Sequence, residues 1–373
     1  MKKMLLCAGT LMLFTGLTIG AGKAVGRIAS IDSGKKVVIV NVESGIDLKM
    51  GEMLEIDSGS GKIKLEVTYP MQTVAKCKIK GKGLISQLKK GMVVSRYSED
   101  AETVSDKVDD ASLKKTGFTE KFGDTQMVYI EGGIFTMGTP DMEPQRESDE
   151  VQHEVTLSPF WISKYEVTQK EYTDVTGVNP SNFKGDNLPV DSVNWYDAVE
   201  FCNNLSKKHN LKPYYKIDRN KRDINNSNNE DNLKYTVTIL GGNGFRLSTE
   251  AEWEFACRAG TTTAYSYGNI LDATMANFSG ANRNTTTAVG SFQPNAYGLC
   301  DMHGNVWEWC WDWYGEYTGP VKDPAGAVTS TVRTMRGGSW NNLPVLLRSG
   351  RRTHLLPSSN GFYAGFRVAR SAD

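Results

Sequence analysis

Carboxylates alternate with large aromatic rings in one stretch of this sequence, which runs from Trp307 to Trp313. Tryptophan fills every second position there, and Glu308 and Asp312 lie between the rings. Because successive side chains of a strand point to opposite sides, the pattern predicts a strand with rings on one face and carboxylates on the other. Just upstream, turn-forming residues place further polar atoms in a tight space: Asp301, His303, Gly304 and Asn305. Such a stretch could belong to an active site; the alternative is a core strand preceded by a turn.

The composition limits the classes of protein to consider. The chain has 373 residues, enough for two domains with cores of their own. Its 43 basic residues balance 43 acidic ones, whereas a nucleic-acid-binding protein would carry a basic excess. Aromatic residues make up 10% of the chain and glycine occurs 37 times, which favours a turn-rich fold over a helical bundle. We therefore expect no nucleic-acid partner.

The N-terminus is typical of an export signal. Lys2 and Lys3 precede an apolar run from Met4 to Ile19, and small residues follow that run. We expect residues 1–24 to be a signal peptide and the mature chain to be periplasmic, displayed on the cell surface or secreted. An uncleaved anchor is the alternative, although the run is short for a spanning helix. No other segment is apolar enough to cross a membrane.

Residues 25–98 are expected to form a small all-β, barrel-like domain, because short strand-like runs alternate there with glycine-bearing turns. Attachment or spacing is its expected role, and oligomerisation is the alternative. Residues 99–124 are rich in Asp, Ser, Lys and Glu, a composition that predicts a linker. The five cysteines after the signal are interpreted as mainly structural, and their odd number leaves at least one thiol unpaired within the chain.

Three helix starts are predicted in the rest of the chain. Thr168 with Glu171 and Thr249 with Glu252 have the spacing of a capping box, in which a side chain at each end bonds a backbone amide. Asn194 is the expected cap of a third helix. The Asn- and Asp-rich run 218–234 predicts a mobile surface insertion.

An ordered series of motifs follows from Glu131 onward. It comprises Glu131-Gly-Gly-Ile-Phe-Thr-Met-Gly138, Glu166-Val-Thr168, Phe245-Arg-Leu-Ser-Thr-Glu-Ala-Glu-Trp253, Gly298-Leu-Cys-Asp-Met-His-Gly-Asn-Val-Trp-Glu-Trp309, Arg336-Gly-Gly-Ser-Trp340 and Gly365-Phe-Arg367. Together these motifs resemble the formylglycine-generating enzyme, or sulfatase-modifying factor, family over residues 125–371. The resemblance implies an α+β, C-type lectin-like fold with little regular secondary structure.

The family's oxidases convert a sulfatase cysteine to formylglycine with a copper ion held by two cysteine thiolates, which are soft ligands suited to copper(I). At the matching positions this chain has Asn342 and Leu347. Neither residue supplies a thiolate, so we expect no copper and lean against an enzyme. Ser339 matches the family's serine, and packing after two glycines explains a small residue there equally well.

The resemblance also implies calcium. The family's site at the turn before the tryptophan stretch would use Asp301, Gly304, Val306 and Glu308 here, with Asp301 and Glu308 as the carboxylate donors that calcium prefers. A second family site would begin at Asn277 and Phe278, without an evident acidic ligand. The alternative for Glu308 is a buried carboxylate bonded to turn amides.

The segment 341–364 departs from the family's mostly polar pattern. Scaffold positions retained beside altered neighbours resemble the variable proteins that retroelements diversify, such as the treponemal ones. The altered residues offer apolar area and directional polar groups, which a recognition surface needs. We call them the predicted binding surface: Leu343, Val345, Leu346, Arg351, His354, Leu355, Leu356, Phe362 and Tyr363. The alternative is that the leucines extend the core.

Two classes of function therefore compete. The first is an exported, non-catalytic binding or display protein whose partner is a protein or a glycan at a cell surface. The second is an oxidoreductase of the formylglycine-generating type that acts on sulfatase cysteines. A structural protein of the cell envelope is a further possibility.

Overall fold

The computed structural model describes residues 116–372 throughout and, of the preceding part, the six strands of a first unit together with residues 88 and 89. The chain divides into two compact units, residues 1–111 and residues 112–373. The expected signal peptide lies, up to residue 23, outside the described residues, as does the expected linker up to residue 115. Within the described part of the chain, no helix is long and apolar enough to cross a membrane.

The first unit is an antiparallel closed barrel with the strand order β1-β2-β5-β4-β3-β6. Its strands are β1 (Ala24–Asp32), β2 (Val37–Val42), β3 (Met53–Asp57), β4 (Lys62–Pro70), β5 (Val74–Lys80) and β6 (Val93–Arg96). The pairing of β1 with β6 closes the barrel. Alternate residues point inward and fill the interior, among them Val38, Val40, Leu54, Leu65 and Cys77, all fully buried.

Over its described residues, 116–372, the second unit has fourteen short strands and three α-helices. The strands are β7 (Thr119–Phe122), β8 (Thr125–Ile130), β9 (Gly133–Met137), β10 (His153–Leu157), β11 (Phe160–Ser163), β12 (Tyr215–Arg222), β13 (Tyr235–Ile239), β14 (Arg246–Leu247), β15 (Trp307–Trp313), β16 (Val321–Lys322), β17 (Arg333–Arg336), β18 (Thr353–Leu355), β19 (Ala364–Gly365) and β20 (Val368–Ser371). The helices are α1 (Gln169–Thr176), α2 (Trp195–Lys208) and α3 (Glu250–Arg258).

Four small sheets share these strands. The largest has the order β14-β20-β11-β8-β7, and a four-stranded sheet has the order β18-β17-β15-β19. A three-stranded sheet, β16-β10-β9, and the β12–β13 hairpin complete the set. Because β7 pairs with β8 over residues 119–122, the second unit includes the last residues of the segment expected to be a linker.

The three helices begin directly after the predicted N-cap residues. Thr168, Asn194 and Thr249 each accept a hydrogen bond from the backbone amide three residues on, and each of those later residues bonds back to the cap. These reciprocal bonds satisfy amides that the first helical turn leaves without a partner. The predicted N-termini are therefore confirmed.

The run 218–234, predicted as a mobile surface insertion, is instead folded against the domain. Asn226 and Asp231 are buried, and the Asn226 amide donates to Asp231 over 2.7 Å. Side-chain oxygens in the run repeatedly accept the backbone amide two residues on, as Asp223 does from Asn225 at 2.9 Å and Asn226 does from Asn228 at 3.0 Å. The Asn and Asp residues thus build successive tight turns, which explains the composition without mobility.

Strand β15 buries both of its faces. Trp307, Trp309 and Trp313 are buried as the alternation predicts, but Glu308 and Asp312 on the other face are buried as well. The Glu308 carboxylate accepts hydrogen bonds from Nε and Nη2 of Arg367 (2.6 and 2.7 Å) and from the indole of Trp253 (2.7 Å). Glu308 is therefore held by an arginine and an indole, not by turn amides.

We expect Arg367→Met to destabilise the second unit by about 3–5 kcal/mol, because it leaves the buried Glu308 carboxylate without its cation. Urea unfolding followed by tryptophan fluorescence measures the effect. The matched control is Lys170→Met, which removes an exposed ammonium 2.6 Å from Asp174, and we expect no measurable change from it. Equal stability of the two variants would contradict a structural role for the buried pair.

Candidate functional site

The segment 341–364 forms one edge of the second unit. After a 3₁₀ turn at Pro344–Leu347 it enters β18, the edge strand beside β17, and returns through β19 to the far side of β15. The Tyr363 carbonyl accepts a hydrogen bond from the Trp307 amide over 2.7 Å. The tryptophan strand therefore holds the C-terminal end of the segment directly, and β17 links it to β18 in the middle of the segment.

Burial separates two groups of side chains within the segment. The residues that follow the family pattern are buried, apart from the half-buried Pro344: Leu347, Arg348, Ser349, Arg352 and Pro357. All nine residues of the predicted binding surface are at least partly accessible, and four of them are exposed: Leu343, His354, Leu356 and Phe362. The outer side chains can thus differ in type without entering the core.

Five residues of the predicted binding surface line one shallow cavity of about 260 Å³: Leu346, Arg351, His354, Leu355 and Tyr363. Trp307 and Met335, from β15 and β17, line it from below, and Asn341, Asn342 and Thr353 complete the rim. Leu346, Leu355 and Tyr363 also pack against the main core. The alternative that the leucines extend the core therefore holds in part for Leu346 and Leu355. Both pack against the core, as Tyr363 does, but all three are only half-buried and still line the cavity.

The other four residues of the surface lie outside this cavity. Val345 lines a neighbouring cavity of about 640 Å³ together with Met142, which is 93% exposed. The Phe362 ring lies 6.0 Å from Trp340, and Trp340 lies 5.3 Å from Phe183, so a row of aromatic rings continues beyond the segment. Leu343 and Leu356 stand at the surface, 63% and 37% exposed.

Sequence reasoning missed the contributions of Phe183, Met142 and Trp340 to this edge of the molecule. Trp340 belongs to a family motif and gave a signal, since a tryptophan after Gly-Gly-Ser at the border of the altered segment could have been assigned to it. Phe183 and Met142 are far away in sequence and gave no such signal. Their proximity follows from the fold alone.

Two arginines tie the segment to the loop 139–150. Arg348 donates to the buried Glu150 at 2.8 and 2.9 Å and to the partly buried Glu143 at 2.8 Å. Arg351, predicted as a binding residue, lies 3.2 Å from Glu147 and 3.5 Å from Glu150. Part of its charge is therefore already compensated within the protein.

The positions of the family's copper ligands are filled by internal contacts. The Asn342 side-chain oxygen accepts hydrogen bonds from the Ser339 amide (3.0 Å) and hydroxyl (2.6 Å). Leu347 is fully buried, and its carbonyl accepts a hydrogen bond from Nδ1 of His303 over 2.7 Å. This pair offers no soft ligand for copper(I).

The cysteines do not replace the missing thiolates. Cys77, Cys202, Cys257, Cys300 and Cys310 are all free and buried. Burial raises the pKa of Cys300 to about 11 and the pKa of Cys257 to about 12, and it raises the pKa of Cys310 well above its usual range. These groups are therefore neutral thiols at physiological pH, as expected for packed structural cysteines.

The turn before β15 brings the predicted calcium residues together. Gly304 has φ +95°, and a Cβ added there would lie 2.1 Å from the Asn277 carbonyl, so only glycine fits. Asp301 accepts the Gly290 amide through Oδ2 at 2.6 Å, while its Oδ1 is buried without a hydrogen-bond partner. The side-chain oxygen of Asn277 is also buried without a partner.

These residues fit an oxygen-coordinated cation only in part. Asp301 and Asn277 each present a free buried oxygen, but both Glu308 oxygens are bonded by Arg367. The residues that the structure describes include no group of three or more His, Cys, Asp or Glu side chains that could hold a metal. Burial raises the pKa of Asp301 to about 6 and that of neighbouring Glu166 well above its usual range. Calcium at this turn stays a prediction.

Three relatives show how far the similarity extends. The chain is 42% identical over 234 residues to "Chaperone protein LppX" of Paenibacillus barcinonensis, a match that covers 57% of this chain and 78% of that protein. It is 32% identical over 289 residues to the formylglycine-generating enzyme of Thermomonospora curvata, covering 65% of this chain and 92% of the enzyme. It is 32% identical over 330 residues to "Serine/threonine-protein kinase pkn1" of Chlamydia caviae, covering 85% of this chain but 47% of that protein. The chain thus spans less than half of the last relative.

Solved structures with the same fold include "Treponema denticola variable protein 1", which is 35% identical with a TM-score of 0.60 and covers 68% of this chain and 98% of its own. PvdO from Pseudomonas aeruginosa is 32% identical with a TM-score of 0.56 and covers 69% of this chain and 99% of its own. The expected α+β, C-type lectin-like fold of the second unit is thereby confirmed.

The model of one protein family, the sulfatase-modifying factor enzyme 1-like domain, matches residues 115–372. That match takes in β7 to β20, the turn before β15 and the whole of the predicted binding surface. The chain belongs to the sulfatase-modifying factor enzyme 1-like family.

Proposed function

We propose that this chain is an exported, non-catalytic binding protein that presents the predicted binding surface to a protein or glycan ligand at a cell surface. The observation that carries the proposal is the separation within the segment 341–364. All nine altered side chains are at least partly accessible, while five of the residues that keep the family pattern are buried: Leu347, Arg348, Ser349, Arg352 and Pro357. A recognition surface needs outer positions of this kind on a fixed frame.

The chemistry of the accessible side chains supports binding. Phe362 is 45% exposed and Leu343 is 63% exposed, and apolar groups of this size mark interaction sites when they lie together. Tyr363, Arg351 and His354 add polar groups at the rim of the cavity. Aromatic and arginine side chains contribute strongly to protein interfaces.

The similarity to the Treponema denticola variable protein 1 supports the same proposal, because that structure combines 35% identity with a TM-score of 0.60. The name of that protein states that it varies. In this chain, variation would be tolerated at the accessible positions. Export is inferred from the N-terminal Lys2-Lys3 and the apolar run that follows.

Formylglycine synthesis is the second candidate, and the 32% identity across 92% of the Thermomonospora curvata enzyme favours it. The residues at the copper positions count against it. Asn342 and Leu347 are an amide and a hydrocarbon, and the five described cysteines are buried as neutral thiols. We therefore propose no copper cofactor. A structural role in the cell envelope is the third candidate, and it gives no reason for an accessible apolar cavity.

We expect the full-length chain to bind at least one member of a glycan array or of a phage-displayed peptide library. Replacing Leu355, Phe362 and Tyr363 with Ser should weaken that binding by at least about tenfold, because it removes apolar contact area from the surface. The matched control replaces Ile224 and Ile270, equally apolar and 88% and 77% exposed but outside the surface, with Ser. Affinity is measured by surface plasmon resonance.

Two outcomes would contradict the proposal. In one, the triple variant and the control bind the selected ligand equally well. In the other, the wild-type chain consumes oxygen in a copper-dependent reaction with a cysteine-containing sulfatase peptide. The second outcome would favour the enzyme.

We also propose calcium as the cation of the turn at Asp301, with the side-chain oxygen of Asn277 and backbone carbonyls as further donors. Millimolar calcium should then raise the melting temperature of the wild-type chain by mass action. Asp301→Ala should abolish the shift, and magnesium should give a smaller one because it requires stricter octahedral geometry. Differential scanning fluorimetry after treatment with a chelator measures both. An equal shift in wild type and variant would refute the site.

A further inference from the structure

A separate cavity of about 310 Å³ lies where the end of β15 meets the start of α3. It shares no lining residue with the cavity of the predicted binding surface. Apolar and aromatic side chains form its walls, among them Met137, Trp313, Tyr317, Val321 and Val328. Its volume is at the lower end of the range of small-molecule sites, about 300 Å³ and above.

Three carboxylates face this cavity, and they differ in how they are compensated. Glu250 is neutralised by Arg352, which donates to its two oxygens at 2.7 and 2.8 Å. Glu316 lies at the exposed rim. Asp312 is only 3% exposed and forms no ion pair with any described residue. The lining therefore holds three carboxyl groups against one arginine, Arg352, and no described residue places a cation in contact with the buried Asp312.

The Asp312 carboxylate is satisfied on one side only. Oδ2 accepts the Glu250 backbone amide over 2.7 Å, and no residue described by the structure donates to Oδ1. The charge of Arg333 acts on Asp312 without an ion-pair contact. The Arg333 guanidinium lies 3.8 Å from the Trp195 ring and 3.5 Å from the Trp313 ring, and it donates to the Trp311 carbonyl. Asp312 thus lines the cavity with one carboxylate oxygen that accepts no hydrogen bond from a described residue, and no cation is in contact with it.

We propose that this cavity binds a small organic cation, a primary amine or guanidinium with a short apolar chain, through the Asp312 carboxylate. The charged head would pair with Oδ1 of Asp312, and the apolar chain would lie against Trp313, Val321 and Val328. Charge-assisted hydrogen bonds of this kind are shorter and stronger than neutral ones. A buried carboxylate without a partner is unfavourable, so a cationic ligand relieves that cost.

The protonation of Asp312 agrees with this assignment. Burial, followed by repulsion from Glu250, raises the pKa of Asp312 to about 8. The empty site therefore favours the neutral acid near neutral pH, and an opposite charge close by favours the ionised form. The bound cation would supply a positive charge in contact with the ionised Asp312 carboxylate.

The experiment titrates the full-length chain with n-butylamine, agmatine and the neutral analogue 1-butanol, and follows the indole signal of Trp313 by NMR after selective assignment with Trp313→Phe. We expect saturable binding of both cations and none of the alcohol. Asp312→Asn keeps an oxygen for the Glu250 amide and should weaken amine binding by at least about tenfold. The matched control, Glu316→Gln, should change it by no more than about threefold, because an exposed charge is screened by water.

A second pair of variants leaves the buried carboxylate in place, in case Asp312→Asn fails to fold. Val328 lines the cavity and is 81% exposed, so Val328→Lys and Val328→Glu remove the same apolar side chain and differ from each other in the charge that they place at the rim. We expect amines to bind the lysine variant more weakly than the glutamate variant, by about twofold to threefold, because a charge at this exposed rim is screened like that of Glu316. The proposal is overturned if neither amine shifts the Trp313 signal, if 1-butanol binds as well as n-butylamine, or if folded Asp312→Asn binds amines like the wild type.

Discussion

The second unit depends on one buried ion pair. Glu308 lies in the middle of the tryptophan strand β15, and its carboxylate joins the Arg367 guanidinium beside β20 to the Trp253 indole of α3. Arg367 in turn donates to the carbonyls of Ser163 and Cys300. A charge taken out of water must be paired and hydrogen-bonded. These contacts therefore fix the positions of three elements that lie far apart in sequence.

Further arginines extend the same principle to the segment 341–364. Arg336 at the end of β17 pairs with the fully buried Glu254 of α3, Arg352 pairs with Glu250 one turn earlier, and Arg348 pairs with Glu150 of the preceding loop. The backbone of the segment is thereby attached at several points from inside. Its outer side chains are not needed for these attachments, so they are available for contacts with a ligand.

Local rules and family motifs in the sequence account for much of the fold. The caps at Thr168, Asn194 and Thr249 set the helix starts because a capping box depends on residues three apart, and the motif series indicated the lectin-like fold. The alternation of tryptophans predicted the strand β15, but it could not show that Glu308 is paired with Arg367, 59 residues away. The approach of Phe183 to Trp340 and the buried turns of the run 218–234 likewise depend on tertiary contacts that no local pattern specifies.

A fixed frame and a changeable surface interleave within the segment 341–364. Saturation substitution of every position from 341 to 364, with protease resistance of the displayed full-length chain as the readout, tests it directly. We expect most polar and apolar substitutions at Leu343, His354, Leu356 and Phe362 to leave resistance intact and nearly all substitutions at Arg348, Ser349 and Arg352 to abolish it. Equal sensitivity of the exposed and buried positions would contradict the claim.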